Sequence, residues 1–263
     1  MTTSSDHPQI TNVKVVRVPS WKDFGSRVDR ELGEIFSSGD RFIFRGQGTS
    51  THKLESCFDR EFRSLSQDQR RRALERIKQL FLSTARVHKT DMPVDEEEIW
   101  ALGQHHGVAT KMLDWTESRY VAAFFAFASL RARYSTYLEA ETAPEKECVA
   151  IFALDTSSTM WIEKSGVAVV RPQNIAMNER LRRQRGLFTL NYSDHLTIED
   201  YARSYIRRNK EEIDKPPLFR FDVPVKTARS ALRDMQEMRI SHAELFPGLD
   251  GVALEAMLRK WLE

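Results

Sequence analysis

The sequence predicts an α+β fold in one domain, with a mixed or split β-sheet flanked by helices. Three observations predict it. Strand-like runs occur early, centrally and late in the chain, without the regular strand–helix alternation of a doubly wound sheet. Several longer segments repeat apolar residues every three or four positions, the period of a helix with one buried face. The stretch 121–130 is apolar on nearly every side, which marks a central, buried helix.

Taken in order, residues 1–20 read as a lead-in that adds at most an edge strand at 13–18, and residues 21–263 form the domain. Phe24, Val28, Leu32 and Phe36 are spaced four apart and predict a helix over 21–36. Residues 41–44 form a strand running into the turn Gly46-Gln47-Gly48, and 67–87 form a helix with Leu74, Ile77, Phe81 and Ala85 on one face. Asp95 and Glu98 resemble a capping box, with acids at the positive helix end and Gly107 as the left-handed residue beyond it. That helix delivers Gln104, His105 and His106 to its last turn. An extended segment follows at 110–115, and Thr116 or Ser118 caps the apolar helix, which runs to about Tyr134. Strands are expected at 148–154, 167–170, 187–190 and 218–223, and helices at 198–209, 227–238 and 249–262, with Pro216-Pro217 ending the first of these helices.

Composition bounds the class. The 263 residues include 40 Lys plus Arg against 38 Asp plus Glu and are 41% hydrophobic, long enough to bury a sizeable core unaided. The longest uncharged apolar stretch, 121–130, is about half of what crosses a bilayer, and no membrane partner is expected. Residues 1–10 have neither a basic start nor an apolar core, so no secretory signal is read there. Two lone cysteines, Cys57 and Cys148, fit a reducing cytoplasmic location and offer no zinc spacing. The net charge of +2 hides segregation. Acids cluster at 95–98 and 139–147, whereas Arg70, Arg71 and Arg72, then Arg180, Arg182, Arg183 and Arg185, then Arg203, Arg207, Arg208 and Lys210 form basic groups. Each group reads alone as a solvated helix face; together they fit phosphate-rich partners.

The local chemistry is selective. The turn after the strand lacks the third glycine of a dinucleotide fingerprint, and no Walker GK[ST] occurs. Arg45, directly after Phe42-Ile43-Phe44, has a planar fork suited to a diphosphate, and Gly46 allows close approach to the backbone. His105-His106 is no metal site, because neighbouring helical residues diverge by about 100° and no third ligand is spaced to join them. Gln104 and His105 read instead as polar groups in a cleft, or as caps of their helix. Asp114 lies between apolar residues and reads as a partly buried carboxylate beside Trp115, able to orient a substrate, or else as a partner for backbone donors.

Four segments, taken together, resemble the FRG domain, a family of bacteria and phages named for its Phe-Arg-Gly motif. Phe44-Arg45-Gly46-Gln47 matches the name, and residues 102–116 (LGQHHGVATKMLDWT) are similar to the family's AQHYGLPTRLLDWT, with Ala123 to Phe127 matching its AFFAF helix. Asn178, Arg180, Gln184, Gly186 and Phe188 resemble an NxRxxxQxGxF segment, and 245–251 resembles LFPxLDG. Gly103, His106, Ala109 and Lys111 depart from the family's Ala, Tyr, Pro and Arg; only Lys111 alters the chemistry, keeping the charge but losing the fork.

A further resemblance links Phe-Arg-Gly at a strand end to the Tyr-Arg-Gly of arginine-type ADP-ribosyltransferases. It implies an ADP-ribosyltransferase-like sheet and NAD as substrate, with no metal. Arg45, Gly46, Gln47, Gln104, Thr116 and Ser118 would contact NAD. Asp114, His105 and either Gln184 or Glu179 would join Arg45 in catalysis. The expected function is a cytoplasmic toxin of a toxin–antitoxin or phage-defence unit that ADP-ribosylates a nucleic acid, RNA before DNA, or else a protein acceptor, and that is held by an antitoxin protein. Arg70, Arg71, Arg182, Arg183, Arg207 and Arg208 would then steer phosphates. The alternative is a non-catalytic nucleic-acid-binding or protein-interaction module, in which Arg45, His105 and Gln184 form a structural polar network.

Overall fold

In the computed structural model, which describes residues 12–33, 41–88, 92–161, 166–172, 179–209 and 215–263, seven strands form one mixed sheet. They are β1 (Val13–Arg17), β2 (Phe42–Gln47), β3 (Met112–Thr116), β4 (Cys148–Asp155), β5 (Val167–Val170), β6 (Gly186–Asn191) and β7 (Leu218–Pro224). Their order is β1-β7-β4-β2-β3-β6-β5, antiparallel throughout except for the parallel edge pair β1/β7. The expected edge strand is thus present.

Helices cover both faces, because strand alternation sends apolar residues both ways. Phe42 and Phe44 of β2, with Val149, Ile151 and Ala153 of β4, pack against α1 (Trp21–Leu32), α5 (Arg119–Ala128) and α9 (Ala228–Glu237). Ile43, Ala150, Phe152 and Leu154 face the other way, onto Tyr201, Ala202 and Tyr205 of α8 (Ile198–Arg208). A smaller cluster joins Met112, Phe188 and Leu190 to Trp100 of α4 (Glu96–His105), with Leu74 and Ile77 of α3 (Gln67–His88) against it. The remaining helices are short, α2 (Cys57–Glu61), α6 (Tyr137–Glu141), α7 (Glu179–Arg183) and α10 (His242–Leu245), apart from α11 (Leu249–Trp261).

The capping signals behave as their chemistry requires. Asp95 accepts from the amides of Glu97 and Glu98, and Gly107 has φ +85°. Of the two candidate caps for α5, Ser118 is the one, its hydroxyl accepting from Val121 N. That helix ends at Ala128 and not near Tyr134, since the backbone tightens into a 3-10 turn at Ser129–Ala132. The first helix ends at Leu32, where Gly33 takes φ +77°; Phe36 lies outside the described residues, as do Asn178, Lys210 and residues 1–11 of the lead-in. Among the described residues no helix is long and apolar enough to cross a membrane.

Candidate functional site

The middle of the sheet is where it is least tied. β4 pairs with β2 over six positions and β6 with β3 over five, but β2 and β3 share only Phe44↔Thr116. Arg45 supplies a further link, donating from Nη1 to the Asp114 carbonyl at 2.6 Å. Gly46 lets α5 lie against this seam: a Cβ there would overlap the Ala122 carbonyl and approach Ala126 N. The close approach that requires this glycine is that of a helix backbone.

A pocket of about 430 Å³ opens over this seam. Phe44, Arg45 and Gly46 come from β2, Asp114 and Thr116 from β3, and Gln104 and His105 from the last turn of α4. Ala122 and Phe125 of α5 form one wall, Arg180 and Gln184 with Phe188 another, and Phe246 closes it. Such a volume falls within the usual range for small-molecule sites.

The polar residues are coupled. Gln104 Nε2 donates to Asp114 Oδ1 at 2.9 Å, while its Oε1 accepts from the hydroxyl of buried Thr110, which itself accepts from Met112 N at 3.1 Å. Thr110 thus fixes which end of the Gln104 amide faces Asp114. Arg45 Nη1 lies 3.9 Å from Asp114 Oδ2, and its buried Nε has no hydrogen-bond partner. Burial lowers the Arg45 pKa, Asp114 opposes the shift and Arg60 adds to it. Burial also lowers the His105 pKa, helped by His106 and Arg180, so the imidazole is neutral at pH 7 and able to accept a proton.

Asp114 corrects one expectation. Its side chain is 69% exposed, and Trp115 points to the opposite face, donating from Nε1 to Thr189 Oγ1 at 2.9 Å. Desolvation beside Trp115 therefore does not strengthen this carboxylate; Gln104 and Arg45 orient it in an open mouth.

Other sequence candidates divide by place. Thr116 donates to the Gln184 carbonyl at 2.7 Å and accepts from Ser118 N, so it braces the wall. Gln184 Nε2 donates to the Leu245 carbonyl at 3.2 Å, tying α7 to α10. Gln47 donates to the Lys53 carbonyl, Ser118 caps α5, and exposed Glu179 is held by Arg183 at 2.6 Å; these three are not among the pocket-lining residues. Arg182 and Arg183 lie on α7, Arg207 and Arg208 at the end of α8, and Arg70 and Arg71 on α3 beside a second, smaller pocket. In the sequence Arg180 reads as a family letter and a member of a basic group, and Phe246 as part of the LFPxLDG segment. Here the guanidinium stacks 4.5 Å from the Phe246 ring, a pairing that no local signal announces. Among the described residues no group of three or more His, Cys, Asp or Glu is placed to hold a metal.

A seamed sheet with a mixed polar and aromatic pocket at its centre, built around Phe-Arg-Gly, is the setting in which the comparisons with known proteins fall. The family model of the FRG domain matches residues 40–135, which hold Arg45, Gln104 and Asp114. No curated protein and no solved structure matches the chain.

Proposed function

We propose that this pocket binds NAD and transfers ADP-ribose from it to a nucleic acid, RNA before DNA. One observation carries the reading: an oriented carboxylate, two arginines and a set of aromatic walls meet in one pocket at the Phe-Arg-Gly strand. The arginines Arg45 and Arg180 suit a diphosphate, and Phe125 and Phe246 suit flat heterocycles. Cleavage breaks the bond between nicotinamide nitrogen and the ribose anomeric carbon, and the electron pair leaves with nicotinamide. Positive charge then develops on the ribose, where the Asp114 carboxylate stabilises it. The acceptor nucleophile bonds to that carbon and its proton passes to neutral His105. Gln184 orients the acceptor or ribose; Glu179, turned to Arg183, is the weaker candidate for that role.

In a cell such a transfer makes a toxin, within a toxin–antitoxin or phage-defence unit, and an antitoxin protein would cover the pocket mouth. The test uses purified protein, labelled NAD, and RNA, DNA or lysate protein as acceptor. Label should enter RNA with release of nicotinamide, and Asp114→Asn should slow it by about 100-fold, the scale of losing one electrostatic stabiliser. Induced expression should arrest growth, and Asp114→Asn should relieve the arrest. No nicotinamide release with any acceptor sinks the proposal. Salt-sensitive RNA binding that survives Arg45→Ala, without NAD consumption, would instead establish a non-catalytic binding module.

A further inference from the structure

The arginines that line the Arg45 pocket are held in different ways, and their donors are not equally free. Arg45 spends Nη1 on the Asp114 carbonyl at 2.6 Å, and its Nε is buried without a partner. A bidentate grip uses two adjacent N–H groups, and each edge of this fork includes either the buried Nε or the committed Nη1. Its charge is also opposed, because the Asp114 carboxylate stands 3.9 Å away. Arg45 is thus built into the seam between β2 and β3.

Arg180, on α7, is the opposite case. Its guanidinium lies 4.5 Å from the centre of the Phe246 ring, and among the described residues it meets no hydrogen-bond acceptor and no carboxylate. An aromatic face orients a guanidinium without using any of its donors. The ring is itself held, edge-on to Phe125 at 6.1 Å and tilted against His242 at 5.8 Å. The acids nearby are engaged elsewhere: Glu179 pairs with Arg183 at 2.6 Å, and Glu117 is shared by Arg171 at 2.6 Å and Arg185 at 3.6 Å. Exposed Glu244 lies within 4 Å of no cation among the described residues. Arg180 also acts on the pocket interior, since it lowers the His105 pKa after burial and His106 have done so. Among the lining residues, with His105 neutral, Asp114 alone opposes the arginines, and it stands by Arg45.

A planar fork with both edges free takes an anion that offers two oxygens side by side, as each phosphorus of a diphosphate does. Bound at the α7 wall, the diphosphate keeps clear of Asp114, whose carboxylate it would repel. The ribose that follows it then reaches the open mouth where Gln104 orients that carboxylate at 2.9 Å. A diphosphate on Arg45 would instead crowd against Asp114, 3.9 Å from the same guanidinium.

We propose that Arg180, braced on the Phe246 ring, grips the diphosphate, while Arg45 of the Phe-Arg-Gly motif fastens β2 to β3 and orients Asp114. The assignment rests on the pocket taking a dinucleotide diphosphate, as proposed above, and not on any transfer from it. Isothermal titration calorimetry of the full chain with ADP-ribose, which has no nicotinamide to lose, tests it. Arg180→Ala should weaken binding about 30-fold, the scale of one charge-assisted hydrogen bond, and leave the melting temperature unchanged, because the side chain is exposed and ties no element to another. Arg180→Lys keeps the charge but loses the fork and the stacking, and should weaken binding about tenfold. Arg171→Ala takes the same charge from outside the pocket and should bind as the parent does. Arg45→Gln should lower the melting temperature and cost less affinity than Arg180→Ala. A lysine at 180 that binds as tightly as arginine, equal losses in Arg180→Ala and Arg171→Ala, or an Arg45→Gln that melts like the parent and loses as much affinity as Arg180→Ala would each overturn the assignment. A parent that does not bind ADP-ribose would sink the diphosphate reading and the assignment with it. Binding lost in Arg180→Ala, from a parent that releases no nicotinamide from NAD, would remove the transfer and leave Arg180 as the grip.

Discussion

At the scale of single residues, the Phe-Arg-Gly segment divides its labour. Phe44 is fully buried against α5, Arg45 bridges the seam to β3, and Gly46 leaves room for the Ala122 carbonyl. The glycine is thus a packing device beneath the site, and its replacement should register as lost stability. Gly46→Ala should lower unfolding free energy by about 1–3 kcal/mol, since the added methyl meets helix backbone that cannot rotate away. Gly48→Ala is the internal control. Its Cβ would meet only the Ser129 hydroxyl, which can turn aside at the cost of its hydrogen bond to the Ala126 carbonyl, so a loss under about 1 kcal/mol is expected. Urea denaturation of both variants checks the order; equal losses would contradict the backbone clash. The sequence made Gly46 legible as a place of close approach, but it could not show what approached. That depended on α5, whose register over β2 is a tertiary fact.

At the scale of elements, legibility followed length and caps. The helix α4 carried its own start and stop signals in Asp95 and Gly107, and so placed Gln104 and His105 at its end from sequence alone. Short α2, α7 and α10 complete too few turns to establish a period, and none was expected. Yet Arg180 of α7 and Phe246, just after α10, line the pocket, so this side of it was marked by motif letters and not by any helical period. The exposure of Asp114 was hidden for a related reason: strand alternation is uninformative where both faces are covered apart from one opening. The α10 element also carries a pH dependence. His242 lies between the rings of Phe124 and Phe246, at 4.9 and 5.8 Å, with a buried Nδ1 that has no partner. Burial lowers its pKa, Glu255 opposes the shift and Arg131 adds to it. The folded state therefore favours the neutral ring, and the unfolded chain binds more protons just below the ordinary histidine pKa of about 6.5. Stability on this account is complete above that pH and falls as pH drops through the folded value. Melting temperature measured between about pH 7.5 and 5 should decline less steeply in His242→Phe than in the parent. His105 shifts in the same direction and remains in both proteins, so the difference isolates His242. Parallel curves would remove His242 as the source.

At the scale of the whole molecule, the sheet order sets what can fold alone. The family match at 40–135 holds β2 and β3, the central strands, but the strands that secure them come later in the chain. β2 is paired over six positions with β4, and β3 over five with β6, whereas the two share one pair with each other. Their apolar residues are covered likewise: Ile43 and Leu113 pack in a cluster with Phe152, Leu187 and Tyr201, all outside the matched segment. The pocket has the same distribution, since Arg180, Gln184, Phe188 and Phe246 supply one side of it. Motif letters gathered from across the sequence thus converge in space, although neither their spacing nor the balanced charge of +2 discloses that they meet. A fragment of residues 40–135 would keep α5 and the long α3 but lose both ladder partners and the α8 cover. A two-stranded remnant of this kind cannot offset the conformational entropy of its chain. It should show no cooperative thermal transition and rapid proteolysis, while the full chain melts in one step and resists cleavage under the same conditions. Circular dichroism and limited trypsin digestion make the comparison. A cooperative transition in the fragment would mean that the matched segment is a folding unit by itself, and the sheet order argues against that because each central strand's longer ladder lies outside it.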